Sequence, residues 1–343
     1  LAAKLLLCDG TNGNGVFIQD RCRNFFAFPR VLSGQAGHYW GARANKELVA
    51  ISGFFPYPTR DQLLCDFDVF YSTDSLVHPE HRGQLLFPYL IKSQCGYFRK
   101  LGKKTLLWGI ENTPNTLSFL PSLLKKQGFE ADLSLKTKFT EIYVSNYPPE
   151  NIEGNFTDKL ISSLSSKDIL VQAEEAHRSR KNKFLSPAFR EDFFERIVAM
   201  DPQAKRFSIS LQNGENASCF AWSFSSVRKY RLQKEIASLQ AKKQRLGFSQ
   251  KVGDEVPVLV LSCLSYSSVN VLRVLLDKIY AYAFYSSFDL IVAHGIPDGA
   301  LSRFLQLLTI ESKLRVLLAS SAENSSLLAH YRDSELDLDV GYL

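Results

Sequence analysis

From Gly37 onward, apolar and polar positions fall into short blocks whose period switches between that of a strand and that of a helix. His38 to Ala44 reads as a strand, Asn45-Lys46-Glu47 as a turn and Leu48 to Phe55 as its hairpin partner. A third strand is expected at about Cys65 to Val77, stopped by Pro79. Gly83 to Leu101 then carries Leu86, Leu90, Ile91, Cys95 and Phe98 at helical spacing, with Tyr97 at the edge of the stripe and basic residues at its end. Thr105 to Ile110 predicts a short apolar strand, Asn115 to Lys126 a helix capped by Gly128, and Ala131 to Ser145 a final pair of strands.

Tyr147-Pro148-Pro149-Glu150-Asn151 interrupts any regular element and is followed by a Ser-rich segment and the charged stretch Glu174 to Lys183. A domain boundary falls there, giving domains at 1–150 and 151–343. The second half repeats the order of the first: strands at Arg206 to Leu211, Ala217 to Phe224 and Val256 to Leu264, then a helix at Val269 to Phe284. A strand at Leu290 to His294, a helix at Ala300 to Leu308 and a strand at Leu314 to Ala319 complete it. The residues barely match, but the shared order points to an internal duplication of one α/β (α+β) fold. A helical insertion at about 227–250 interrupts the second half, where Leu232, Leu239 and Leu246 stand seven apart in a basic context. Three leucines make too short a seam for a coiled coil, so a protruding helix or hairpin packed on its own domain is expected.

At 343 residues, and about 150 per domain, the chain has length for two cores. With 45% apolar and 22% charged residues it is an ordinary globular composition, neither disordered nor collagen-like. Forty-one Lys+Arg against thirty-five Asp+Glu leave +6, compatible with a polyanionic ligand but short of a nucleic-acid stripe. The longest apolar runs reach about half of the roughly 18 residues a membrane helix needs, so no span is expected. Leu1 to Cys8 lacks the features of a signal peptide, and with no initial Met the extreme N-terminus reads as missing; the expected location is cytoplasmic. The six cysteines are scattered without a CxxC pair, against a zinc site, a redox pair or a disulfide framework. No Walker loop, HExxH or GxSxG is present. His78 and His81, three apart with no further clustered ligand, do not make a metal site, and none is expected.

Ser75 to Leu90 is the most informative segment. A strand runs into a Pro-marked turn and Arg82-Gly83 opens a helix, so several backbone N–H groups and one guanidinium point at a single spot, as a phosphate cradle requires. Together with Glu111-Asn-Thr-Pro-Asn115 after the next strand and Gln127-Gly128-Phe129 closing the next helix, this segment resembles the GNAT superfamily of acyl-CoA N-acyltransferases over about Gly37 to Ser145. The resemblance implies two GNAT-like domains, each a mixed, mainly antiparallel sheet flanked by helices. In that family the turn reads V-x-P-x-x-R-G-x-G-x-G/A. Val77, Pro79, Arg82 and Gly83 match, whereas Leu85 and Phe87 stand at the second glycine and the small residue.

The resemblance implies binding of acetyl-CoA or another acyl-CoA by Leu76, Val77, Arg82, Gly83, Gln84, Leu85, Leu86 and Phe87, with Asn115 beyond the next strand. It also implies direct attack of an amine on the thioester, the carbonyl being polarised by an N–H of the third strand. The tyrosine that often protonates the leaving thiolate would lie four residues before Gly128, where this chain has Leu124. Asp74, Tyr71 and Glu111 are the candidates for catalytic roles, with Asp68 a further carboxylate nearby. Phe25 to Phe28, Tyr39-Trp40 and Phe54 to Tyr57 lie where the family builds its acceptor pocket, and Tyr57 is the candidate to line it. The second half has Ser265-Tyr-Ser-Ser-Val269 at the corresponding turn, without Arg or Gly, and reads as degenerate. The expected acceptor is a small amine, an amino acid or a peptide. Two alternatives stand beside it: a peptidyltransferase resembling the Fem family, with aminoacyl-tRNA as its nucleic-acid partner, and a non-catalytic scaffold on the same fold.

Overall fold

The computed structural model describes residues 17–22, 25, 27–101, 104–110, 118–145, 164–179, 183–232, 250–302, 305–306, 309–331 and 335–336. In chain order the strands are β1 (Phe17–Arg21), β2 (His38–Ala44), β3 (Glu47–Pro56), β4 (Asp68–Val77), β5 (Thr105–Ile110), β6 (Phe129–Tyr143), β7 (Lys183–Phe184) and β8 (Lys205–Ser210). They continue with β9 (Asn216–Ser223), β10 (Arg228–Leu232), β11 (Glu255–Val256), β12 (Val258–Tyr266), β13 (Leu290–His294), β14 (Thr309–Ser321) and β15 (Glu335–Leu336). The helices used below are α1 (Phe28–Ser33), α2 (Leu86–Lys100), α3 (Leu120–Lys125), α4 (Ser166–Ser179), α5 (Phe193–Met200), α6 (Val269–Tyr285) and α7 (Ser325–Tyr331).

The chain forms two compact units. The first comprises Leu1–Thr137, Asn182–Ala188 and Lys313–Leu336; the second comprises Lys138–Lys181, Phe189–Ser312 and Asp337–Leu343. Neither is one uninterrupted stretch of chain, because β6 and β14 each leave one unit and enter the other part-way along their length.

In the first unit the sheet order is β2-β3-β4-β5-β14. The β2/β3, β3/β4 and β5/β14 pairs are antiparallel, and β4/β5 is parallel. The helix α2 packs on β2, β3 and β4 because Leu90, Ile91, Cys95 and Phe98 form one apolar stripe, and it meets Phe54, Phe70, Leu107, Leu120, Leu124, Phe129, Leu317 and Ala319 in a single core. The other side of the same strands is aromatic: the Tyr71 ring lies 4.4 Å from Trp108, and Tyr57 meets Trp108 edge-on at 5.0 Å. Tyr57 is anchored there by a hydrogen bond from its hydroxyl to the Leu185 carbonyl (2.8 Å), from a segment 128 residues away in sequence.

The second unit repeats the pattern. Its order is β8-β9-β12-β13-β6, with β12/β13 parallel and the β8/β9, β9/β12 and β13/β6 pairs antiparallel. The helix α6 covers β8, β9 and β12 with Val271, Leu272, Leu275, Leu276, Ile279 and Ala283, each at most 1% exposed. The helix α4 packs on β9 and β12.

Several sequence expectations change. Ala131 to Ser145 forms the single long strand β6 rather than a pair, since that stretch holds no glycine, proline or asparagine on which to turn. The neighbour of β5 is instead β14, from about two hundred residues downstream. The helix expected at Asn115 to Lys126 is confined, among described residues, to Leu120–Lys125. The one expected at Ala300 to Leu308 lies partly outside the described residues, which show a short 3-10 turn at Asp298–Ala300. Most of the insertion at 227–250 also lies outside them. Helix α4 occupies the segment read as polar linker; its start is a reciprocal cap in which Ser165 Oγ and Asp168 Oδ2 are 2.6 Å apart and the Asp168 N–H donates to Ser165 Oγ.

Candidate functional site

Strand β4 leads into the candidate site, and its geometry changes on the way. Among the described residues its parallel pairing with β5 runs from Asp68↔Thr105 to Ser72↔Gly109. One step on, the pairing with β3 jumps from Gly53↔Thr73 to Ile51↔Leu76, so β4 holds one extra residue at Asp74–Ser75. This bulge is stabilised by a 2.8 Å hydrogen bond between Ser52 Oγ and Ser75 Oγ. From Thr73 to Val77, β4 continues its antiparallel pairing with β3 across the bulge and ends at Ala50↔Val77.

Beyond β4 the His78 N–H donates to the Val49 carbonyl (2.8 Å), holding the start of the turn to β3. Pro79–His81 forms a 3-10 turn, closed by the Arg82 N–H donating to the Pro79 carbonyl and the Gln84 N–H to the His81 carbonyl. The His81 ring and the Gln84 side chain lie 3.2 Å apart at Nδ1 and Oε1, fixing the loop from outside. Gly83 has φ +84° and Leu85 φ +58°. The second value matters most: Leu85 adopts the left-handed conformation that favours glycine, at the position where the family has glycine. Leu85 also serves as the N-cap of α2 without a side-chain hydrogen bond to the helix, and its side chain is 65% exposed. The N–H groups of Gly83, Leu85, Leu86 and Phe87 donate to no acceptor among the described residues, while Pro88 has none to offer. Exposed Arg82 stands beside them. Orphan N–H groups, the positive end of a fifteen-residue helix and a guanidinium are the elements of an anion site.

The same place in the second unit is built differently. Its third strand, β12, carries a matching bulge, with Ser262↔Phe220 followed by Ser265↔Ser218, and Cys263 there has φ +56°. The following helix, α6, is closed by its own cap: Ser268 Oγ accepts the Val271 N–H at 3.3 Å. No arginine or glycine lies between β12 and α6.

Among the sequence-derived candidates, Leu76 and Val77 end β4 opposite Ile51 and Ala50, and Arg82 to Phe87 form the turn just described. Asp74 lies at the bulge. Tyr71 is 6% exposed, packed between Phe55 and Trp108. Glu111 and Asn115 lie outside the described residues. Leu124 is 4% exposed and belongs to the core. The His78 and His81 rings are 5.8 Å apart, and the described residues hold no group of three metal-ligating side chains. The sequence reading missed the bulge, which follows from the register between β3 and β4 and leaves no local signal.

Solved structures share this architecture. Saccharomyces cerevisiae N-myristoyltransferase with bound myristoyl-CoA superposes with a TM-score of 0.55 at 12% identity, over 92% of this chain and 78% of that one. The chain has the GNAT fold. A GCN5-related N-acetyltransferase from Anabaena variabilis matches at TM-score 0.45 and 10% identity, over 85% of this chain and 64% of that one. Eis1 from Mycobacterium abscessus matches at 0.42 and 12%, over 88% and 67%. The fold assignment rests on the first of these. No family model matches the sequence, and no curated protein matches it. Among the described residues of this GNAT-fold chain, no helix is long and apolar enough to cross a membrane.

Proposed function

We propose that the chain is an N-acyltransferase that moves an acyl group from an acyl-CoA, most simply acetyl-CoA, to an amine of a small molecule, an amino acid or a peptide. The observation that supports this best is the left-handed backbone at Leu85, which keeps the cradle conformation although the glycine is gone. In this reading Arg82 and the N–H groups of Gly83, Leu85, Leu86 and Phe87 hold the pyrophosphate of coenzyme A, with Gln84 and Asn115 at its margins. Leu76 and Val77 flank the pantetheine arm, and an N–H of β4 near its bulge polarises the thioester carbonyl.

The amine nitrogen attacks the carbonyl carbon, the C–S bond breaks, and the amine loses one proton to a base. Asp74 is the residue we assign as that base, with Glu111 a second carboxylate. Tyr71 is the remaining candidate for proton transfer. With Leu124 in the core, the thiolate takes its proton from water or from Tyr71. The second unit, its helix closed by Ser268, completes the architecture without binding coenzyme A. We take 1–150 and 151–343 as the duplicated halves, and the cytoplasm as the site of action.

Calorimetric titration of acetyl-CoA and free coenzyme A, with Arg82→Ala as control, tests the reading. Micromolar binding lost in the variant is expected, and thiol release then serves to screen amines. Absence of binding to the wild-type chain at millimolar ligand overturns it.

A further inference from the structure

A second candidate site lies within the second unit, apart from the turn at Arg82. A cavity of about 420 Å³, in the size range of small-molecule pockets, opens beside the start of β13. Its walls are apolar at Val144, Pro257, Phe284 and Phe288. Its polar lining consists of Asp289, Glu255, Ser145, Ser287 and Gln250, with no lysine, arginine or histidine among the described residues.

Asp289 is the unusual member. It is 8% exposed, and its carboxyl is hydrogen-bonded to the neutral side chain of Gln250, with no cation beside it among the described residues. Burial raises its pKa to about 6. Glu255, by contrast, is paired with Lys229 at 2.8 Å on the exposed side. Tyr280, whose hydroxyl accepts the Ser145 N–H at 2.8 Å, is pushed up to about 12 by burial. The backbone around Asp289 is pinned: its N–H donates to the Pro257 carbonyl, its carbonyl accepts the Val144 N–H, and Ser287 just before it holds φ +58°. A buried carboxylate without a counter-charge is costly, and the cost falls when a cation enters and pairs with it.

We propose that this cavity is a binding site for a small organic cation, a primary ammonium carried on an apolar body, with Asp289 as its counter-ion. Ser145 and Ser287 offer hydroxyl oxygens as further acceptors, and the Phe284, Phe288 and Pro257 walls take the body. The site stands on the second unit alone and does not rest on the acyl-transfer reading.

The test is calorimetric titration of 2-phenylethylammonium chloride into the whole chain at pH 8 and pH 5, beside the uncharged 2-phenylethanol. Saturable binding of the amine at pH 8 is expected, at least tenfold weaker at pH 5, with no measurable binding of the alcohol. Asp289→Asn should weaken the amine at least tenfold at pH 8 while acetyl-CoA titrations stay as in the wild type. The pH comparison needs no variant and so stands even if Asp289→Asn folds poorly. Equal affinity at the two pH values, equal binding of amine and alcohol, or no binding of the amine at millimolar concentration overturns the proposal.

Discussion

Replacing Asp289 by Asn gives a stability change whose size follows from its surroundings. The carboxyl has an ordinary value of 3.8 and is raised to about 6 in the folded chain, chiefly by burial, against which the Gln250 hydrogen bond works only in part. The folded state thus binds this proton more tightly than the unfolded state. The contribution is fully present below pH 3.8 and is lost as the pH rises through about 6. The gap between the two values is worth about 3 kcal/mol, an upper figure because Asn also alters the bond to Gln250. Asn has nearly the same volume and cannot ionise, so the variant should lack this loss. Thermal unfolding followed by circular dichroism at pH 4 and pH 8, without added ligand, measures it. Near-equal Tm values are expected at pH 4, with the variant higher by several degrees at pH 8, since about 1 kcal/mol corresponds to about 2–4 °C in a cooperative unit of about 150–250 residues. A variant that melts below the wild type at pH 8, or by the same margin at both pH values, refutes the assignment of a desolvated carboxyl.

Gly83→Ala isolates the backbone cost of the cradle, because a Cβ there meets nothing within 4 Å while φ is +84°; a loss of about 1 kcal/mol by urea denaturation is expected. The converse change, Leu85→Gly, relieves a strained left-handed residue whose side chain is mostly in water, so stability should hold or rise by up to about 1 kcal/mol while coenzyme A affinity is retained. Removal of the cap on α6 by Ser268→Ala should cost about 1 kcal/mol in the same denaturation assay and leave acetyl-CoA titrations unchanged.

Several elements of both units were legible from local pattern. His38–Ala44, Thr105–Ile110 and Leu290–His294 fall where alternation and apolar runs put them, and α2 lies within the predicted Gly83 to Leu101. The α4 cap was also present as Ser165-x-x-Asp168, but the few buried positions behind it, Ile169, Leu170 and Ala173, made a short stripe in a polar stretch. The turn after β4 was readable because Pro79 and Gly83 act through short-range chemistry, a fixed φ and a free φ.

Sequence alone therefore determined the order of elements, the stripe that α2 buries and the turn that presents an arginine to its N-terminus. Those features depend on residues within a few positions of one another. Tertiary structure alone decided that β14 rather than a second local strand pairs with β5 and that β4 takes one extra residue at Asp74–Ser75 against β3. It also decided that Leu85 accepts a left-handed backbone and that Asp289 is buried beside a cavity. Each of these is settled by pairing or burial between segments distant in the chain. Their free energy can hold a leucine at positive φ, or a carboxyl away from water, against its local preference.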